Sequence, residues 1–242
     1  MAHYFFSDVH LGYGERAADK KREERLLRFL DSIRPTAESL FIVGDLFDYW
    51  FEYKTVVPKY HIRTLAAIAA FVDRGCVVHY CIGNHDFGHR DFFQNEIGVI
   101  MHEDDFPITL DGKKFYISHG DGKAANDLGY RILKKILRNR INLKLYSMLH
   151  PNWGIGVAAW SSRRSRAYTG QKDYGPNDGL IEFAKQKLRE GYDYVVMGHR
   201  HKPQEIIEGN GKYINLGDWI AHCTYAVCEN GVLSLKTFTD TK

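Results

Sequence analysis

Short apolar runs alternate with helical periodicity along the first hundred residues. Residues 3–7, 40–43 and 77–82, and further on 115–118 and 194–197, are apolar runs of strand length that lead into Asp, Gly or His. Between the first two, residues 22–33 place Leu26, Leu27, Leu30 and Ile33 on one face at helical spacing, with charged residues opposite. Between the second and third, residues 60–72 repeat the pattern through Ile62, Leu65, Ala66, Ala69 and Phe71, and Gly75 stands where a helix-terminating glycine belongs. The order β-α-β-α-β predicts an α/β architecture. Beyond residue 100 the pattern turns antiparallel, with Asp111-Gly112 and Asn230-Gly231 as two-residue hairpin turns. A late helix is expected after Pro176, with Asn177 or Asp178 as its N-cap and Glu190-Gly191 at its end. Residues 128–149 alternate apolar and basic side chains at helical spacing, a basic amphipathic pattern, and residues 153–167 begin apolar and end cationic.

Composition adds little to this until charge is resolved along the chain. With 242 residues, 44% hydrophobic and 26% charged, the sequence is that of an ordinary globular protein, which excludes collagen-like, coiled-coil and disordered classes. No apolar run is long enough to span a bilayer, and Asp8 interrupts the N-terminus before a signal-peptide core can form, so a cytoplasmic protein is expected. Cys76, Cys81, Cys223 and Cys228 lie in apolar runs without metal-ligand spacing and are read as buried, reduced thiols. Residues 128–172 contain no Asp or Glu but ten Lys and Arg, against a whole-chain net charge of only +3. A basic segment on an otherwise acidic body suits an anionic partner. The segment reads either as packing decoration with a solvated face or as a lid for a substrate with both a fatty and a negative part.

Five strand ends carry the chemistry. They present Asp8-Val9-His10, Gly44-Asp45, Gly83-Asn84-His85-Asp86, His119 and Gly198-His199-Arg200-His201. Ligand sites in open α/β sheets form at the carboxyl ends of the strands, so residues distant in sequence can converge there. Oxygen and imidazole donors without Cys suit Mn, Fe, Zn or Mg. Asp86 is read as a residue that holds backbone. The aromatic run Phe47, Tyr49, Trp50 and Phe51 either lines the same groove or fills the core beneath it.

The string D-x-H, G-D-x-x-D, G-N-H-D, a lone His after a strand, and G-H-x-H resembles the calcineurin-like metallophosphoesterase superfamily over nearly the whole chain. The resemblance implies an α/β fold of two mixed β-sheets sandwiched between helices, as a single domain over 1–242 with a helical cap insertion at about 122–172. It implies two divalent metal ions, manganese foremost among Mn, Fe, Zn and Mg. Asp8, His10 and His201 would hold one ion, Asn84, His119 and His199 the other, and Asp45 would bridge both. Asp48 would orient His85, which would protonate the leaving oxygen or stabilise developing charge. Two cations suit such chemistry because a phosphate anion resists attack until it is neutralised and aligned.

Within the superfamily the features Asp8-Val9-His10-Leu11-Gly12, Gly44 to Trp50, His119-Gly120-Asp121 and the helical insertion are similar to the UDP-2,3-diacylglucosamine diphosphatase family. That likeness implies cleavage of a nucleotide-linked glycolipid to lipid X and UMP in lipid A assembly, at an anionic membrane surface on the inner face of the cytoplasmic membrane. Asp127, Ser165 and Lys172 would contact the sugar and phosphate. Proteobacterial members of that family carry Arg after the metal-binding Asn, where this chain has His85. Another phosphodiesterase activity, on nucleic acid or a small nucleotide, is the competing expectation. It is disfavoured because apolar periodicity, not interleaved aromatics, accompanies the cations. No protein partner is inferred.

Overall fold

The alternating pattern folds as two stacked sheets with helices on their outer faces. The computed structural model describes residues 1–124, 128–158 and 179–240. In chain order the elements are β1 (Ala2–Phe6), α1 (Arg16–Ile33), β2 (Ala37–Val43), α2 (Ile62–Asp73), β3 (Val77–Cys81), a π-helical turn (Phe93–Ile97), β4 (Ile100–His102), β5 (Phe106–Leu110) and β6 (Lys113–Ser118). Then follow α3 (Leu128–Leu137), α4 (Arg140–Tyr146), α5 (described over 151–158), α6 (Gly179–Arg189), β7 (Tyr194–Met197), β8 (Gln204–Glu208), β9 (Gly211–Asn215), β10 (Thr224–Glu229) and β11 (Val232–Thr237). One sheet has the order β11-β10-β1-β2-β3-β4 and the other β5-β6-β7-β9-β8. Parallel pairing of β1, β2 and β3, and of β6 with β7, directs five carboxyl ends toward one edge of the sandwich.

Three apolar layers hold the sandwich. Between the sheets, Phe5 stacks on Phe41 and Phe115 at ring separations of 4.6 and 5.7 Å, among Val43, Ile117, Val196 and Ile214. Leu26, Phe29 and Leu30 of α1 and Leu65, Ile68 and Phe71 of α2 cover the outer face of the first sheet. Leu180, Ala184 and Leu188 of α6 cover the second. Each buried Phe or Leu contributes about 1.5–3 kcal/mol of hydrophobic stabilisation before entropy is counted. Both predicted hairpin turns form, with Asp111-Gly112 and Asn230-Gly231 all at positive φ, as a type I′ turn requires. Gly75 follows α2 at φ 84, and the amides of Gly75 and Cys76 return to the carbonyls of Val72 and Phe71. All four cysteines are free and buried.

Three expectations change. The buried face of α2 runs through Thr64, Leu65, Ile68 and Phe71, while Ile62 and Ala66 face solvent. The helix is rotated because Thr64 donates its hydroxyl to Glu23 of α1, so a polar contact sets the interface. The basic amphipathic stretch is broken, since the Asn139 side chain accepts from Ile141 N and starts α4 afresh. The aromatic run divides: Phe47 and Trp50 are stacked in the core, whereas Tyr49 and Phe51 meet Tyr146 of α4. The expected N-cap at Asn177 or Asp178 lies outside the described residues.

Glu52 organises the loop below this junction. Its carboxylate accepts from the amides of Arg90, Asp91 and Phe92 at 2.7, 2.9 and 3.1 Å and from Trp50 Nε1 at 2.9 Å. Burial opposes its ionisation, but His89, Trp50 and these amides hold its pKa down to about 2, from the usual 4.5. A carboxylate depressed on folding stabilises the protein above its unfolded pKa, and the contribution is lost as pH falls from 4.5 through 2. Glu52→Gln is therefore expected to cost on the order of 2–3 kcal/mol at pH 7, with the difference from the native protein closing by about pH 2. Urea melts of both proteins from pH 7 to 2 measure this; a difference independent of pH would refute it.

Candidate metal centre

The strand ends converge through tight loops. Asp8 N and His10 N donate to the carbonyls of Gly44 and Asp45, lacing the loop after β1 to that after β2. His199 N donates to Asp8 Oδ2 at 3.0 Å, and His85 N to Asp45 Oδ1 at 2.8 Å, which brings in the loops after β7 and β3. Asp8, His10, Asp45, His199 and His201 all have φ between 51° and 71°. Left-handed backbone is costly for such residues and clusters where surrounding structure enforces it at functional sites.

Two groups of donor atoms share Asp45. In the first, His10 Nε2 lies 3.1 Å from His201 Nε2 and 3.7 Å from both Asp8 Oδ1 and Asp45 Oδ2, and His201 Nε2 lies 3.4 Å from Asp8 Oδ1. In the second, His119 Nε2 lies 3.3 Å from Asp45 Oδ2, and Asn84 Oδ1 is 3.0 Å from His119 Nε2 and 2.9 Å from His199 Nδ1. All seven expected side chains are thus at one place, with His85 and Asp48 beside them.

The donor chemistry fits divalent cations. His119 Nδ1 bonds the Val43 carbonyl at 2.9 Å, Asp218 Oδ2 stands 3.5 Å from His201 Nδ1, and Asp48 Oδ1 stands 3.6 Å from His10 Nδ1. An acceptor at Nδ1 favours the proton there and turns the Nε2 lone pair inward, as metal-binding histidines require. Asp8 Oδ1, fully buried, has no hydrogen-bond donor among the described residues, although the second oxygen accepts from Ser7 and His199. An ionised oxygen left so is costly unless a cation meets it. Burial drives the His199 imidazole down to about 3, keeping it neutral and able to donate a lone pair. Burial also opposes ionisation of Asp45, but His119, His85 and His10 hold its carboxyl well below the usual range.

Neighbouring groups refine the expected roles. Asp48 Oδ1 is 3.7 Å from His85 Nδ1, so its carboxylate serves His10 as much as His85. Asp86 accepts from Leu46 N and Gly83 N, both at 2.9 Å, and from the Tyr80 hydroxyl, which ties the loops after β2 and β3 together. Asp218 was not foreseen; it is anchored by Ala221 N and His222 N, and the only sequence signal is an Asp after Asn215-Leu216-Gly217 at the end of β9.

Two cations of the basic segment turn inward. Lys134 Nζ reaches the buried Asp121 at 2.8 Å, and Arg138 donates to the carbonyls of Gly83 and Glu103 at 2.8 and 3.0 Å. Those charges fasten α3 to the rim of the centre. Asp127, Ser165 and Lys172 lie outside the described residues.

Relatives match this chain over nine-tenths or more of its length. A protein of Porphyromonas gingivalis named UDP-2,3-diacylglucosamine hydrolase is 33% identical over 98% of this chain and 97% of its own. Proteins of the same name from Nitrosococcus oceani and Aeromonas salmonicida are 30% and 29% identical, over 90% and 99% of this chain and 88% and 94% of theirs. The calcineurin-like phosphoesterase family model matches residues 1–203, which contain all seven donor residues of the two groups. Sequence, sheet order and converging donors agree, and the chain belongs to the calcineurin-like phosphoesterase family.

Proposed function

We propose that this chain is a metal-dependent hydrolase that cleaves the phosphoric anhydride of UDP-2,3-diacylglucosamine, giving 2,3-diacylglucosamine 1-phosphate and UMP in lipid A biosynthesis. The observation that carries the reading is the convergence of two donor groups on Asp45, next to helices with an exposed apolar surface. The names of the full-length relatives support the same substrate.

Asp8, His10 and His201 would hold one divalent ion, Asn84, His119 and His199 a second, and Asp45 both, because its Oδ2 lies 3.7 Å from His10 Nε2 of one group and 3.3 Å from His119 Nε2 of the other. Such ions, manganese foremost, would supply charge neutralisation of the diphosphate and acidification of water for in-line attack on phosphorus. Val43, Asp48 and Asp218 stand at the Nδ1 atoms of His119, His10 and His201 and would fix these imidazoles toward the ions. His85, its ring edge-on to His10 at 4.9 Å and its Nδ1 toward Asp48, donates a proton or hydrogen bond to the leaving oxygen.

The substrate's fatty half has a surface available. Ile132, Ile136, Ile141, Leu145 and Trp153 of α3–α5 are exposed, and each methylene buried against them contributes about 0.8 kcal/mol. Among the described residues no helix is long and apolar enough to cross a membrane. The apolar helices with Lys135, Arg140 and Lys144 would instead rest on the anionic inner face of the cytoplasmic membrane. Asp127, Ser165 and Lys172 remain the sequence-based candidates for the sugar and phosphate.

Hydrolysis in oxygen-18 water is the test. Attack at the α-phosphorus puts the label on UMP, read by mass spectrometry; absence of glycolipid turnover by the manganese-loaded protein would exclude the substrate.

A further inference from the structure

A second cluster of charged side chains is buried behind the centre, and the chemistry above does not use it. Asp19, Arg22 and Glu23 of α1, with His61 and Thr64 at the start of α2, are all buried where α1, α2 and the loop after β1 meet. His61 Nε2 is 3.8 Å from Asp19 Oδ2 and its Nδ1 3.7 Å from Glu23 Oε2. Arg16 donates to Asp19 Oδ2 at 2.6 Å. The network is incompletely satisfied, since Arg22 Nε has no hydrogen-bond partner among the described residues. An apolar contact between α1 and α2 is the cheaper way to fill such a space. What the charges hold is therefore informative.

They hold two successive residues of one turn. Gly12 N donates to Asp19 Oδ1 at 2.6 Å, and Arg22 Nη2 donates to the Tyr13 carbonyl at 2.6 Å. Tyr13 N in turn donates to the His10 carbonyl at 3.0 Å, closing a turn in which His10 has φ 51° and Gly12 φ 98°. A left-handed histidine persists only where its surroundings over-determine it. The adjoining backbone bonds, Leu11 N to Leu46 O and Asp48 N to Leu11 O, fix the residue between. The carboxylate and guanidinium of α1 fix the far end.

We propose that Asp19 and Arg22 are positioning residues: a buried clamp that holds the His10–Tyr13 turn in its left-handed form and so aims His10 at the ion it shares with Asp8 and His201. The inference rests on the assignment of His10 as a metal ligand. Because the clamp acts on backbone, the acceptor at position 19 matters more than its charge. Asp19→Asn keeps a carbonyl oxygen for Gly12 N; Asp19→Ala removes it.

Metal-free full-length protein titrated with Mn²⁺ in a calorimeter, with bound ions counted by elemental analysis, reads the effect without reference to turnover. Asp19→Ala is expected to weaken one of two ions about 10-fold or more and leave the other unchanged, with Asp19→Asn close to native. Native affinity for both ions in Asp19→Ala, or equal losses in the Ala and Asn variants, would overturn the clamp. If circular dichroism shows Asp19→Ala to be unfolded, Arg22→Gln, which releases only the Tyr13 carbonyl, must weaken the same single ion, and native affinities there would overturn the proposal. His10→Ala is the control: retention of both ions would remove His10 from the metal centre, and the clamp's role with it, whereas loss of one ion there beside native binding in Asp19→Ala would refute the clamp alone.

Discussion

Asp45→Ala is expected to abolish turnover, by about 10⁴-fold or more, and to abolish paired metal binding at the same time. Both donor groups include an Asp45 oxygen, and its other oxygen fixes the amide of His85, so its removal disconnects the two halves of the site. His85→Ala is expected to act differently. Its side chain stands beside the donors rather than among those assigned to an ion, so the loss is roughly 10² to 10⁴ in kcat with both ions retained. Metal counting alongside kcat distinguishes the two residues. Normal metal content in Asp45→Ala would remove it from the bridging role, and loss of ions in His85→Ala would make His85 a ligand.

Gly83→Ala is expected to be the most disruptive change that adds only a methyl group. A Cβ at 83 would fall within the van der Waals radii of Asp45 Oδ1 and Asp45 N. The glycine cannot retreat, because its amide is held by Asp86 at 2.9 Å and its carbonyl by Arg138 at 2.8 Å. The methyl must displace Asp45 or tear the loop after β3 from its anchors, at about 1–3 kcal/mol or more, together with metal binding. Gly75→Ala supplies the comparison: its φ is also positive, but a Cβ there meets nothing within 4 Å, so it costs about 1–2 kcal/mol of strain and leaves the ions in place. Thermal melts and metal analysis on both variants test this. Equal metal content in the two would show that the loop after β3 yields more readily than its hydrogen bonds imply.

The parts of this molecule legible in the sequence are those governed by periodicity and by strand ends. The five strands and the two hairpin turns follow from apolar runs and from Asn-Gly and Asp-Gly pairs, and the residues just past the parallel strands meet because parallel strands end on one side. What escaped was set by polar contacts between distant residues. The first turns of α1, from Arg16, look solvated in sequence, yet Asp19, Arg22 and Glu23 are buried there against His61. The rotation of α2 depends on Thr64 finding Glu23, 41 positions away. Lys134 and Arg138 read as part of a free basic surface, but their partners, Asp121 and the Gly83 and Glu103 carbonyls, are visible only in the fold. Asp218 supports His201 from a loop that carries no motif.

Three of the four free thiols make this protein its own reporter of opening. Burial pushes Cys76 up to about 11, Cys81 to about 12 and Cys228 to about 11, so in the closed molecule these three are protonated and sterically hidden from alkylating reagents. Cys76 sits at the exit of α2, Cys81 at the end of β3 just before the centre, and Cys228 between the sheets. The rates at which each takes up a label then separate fraying near the helices, breathing of the strand that leads to Asn84, and parting of the two layers, with no probe to be introduced.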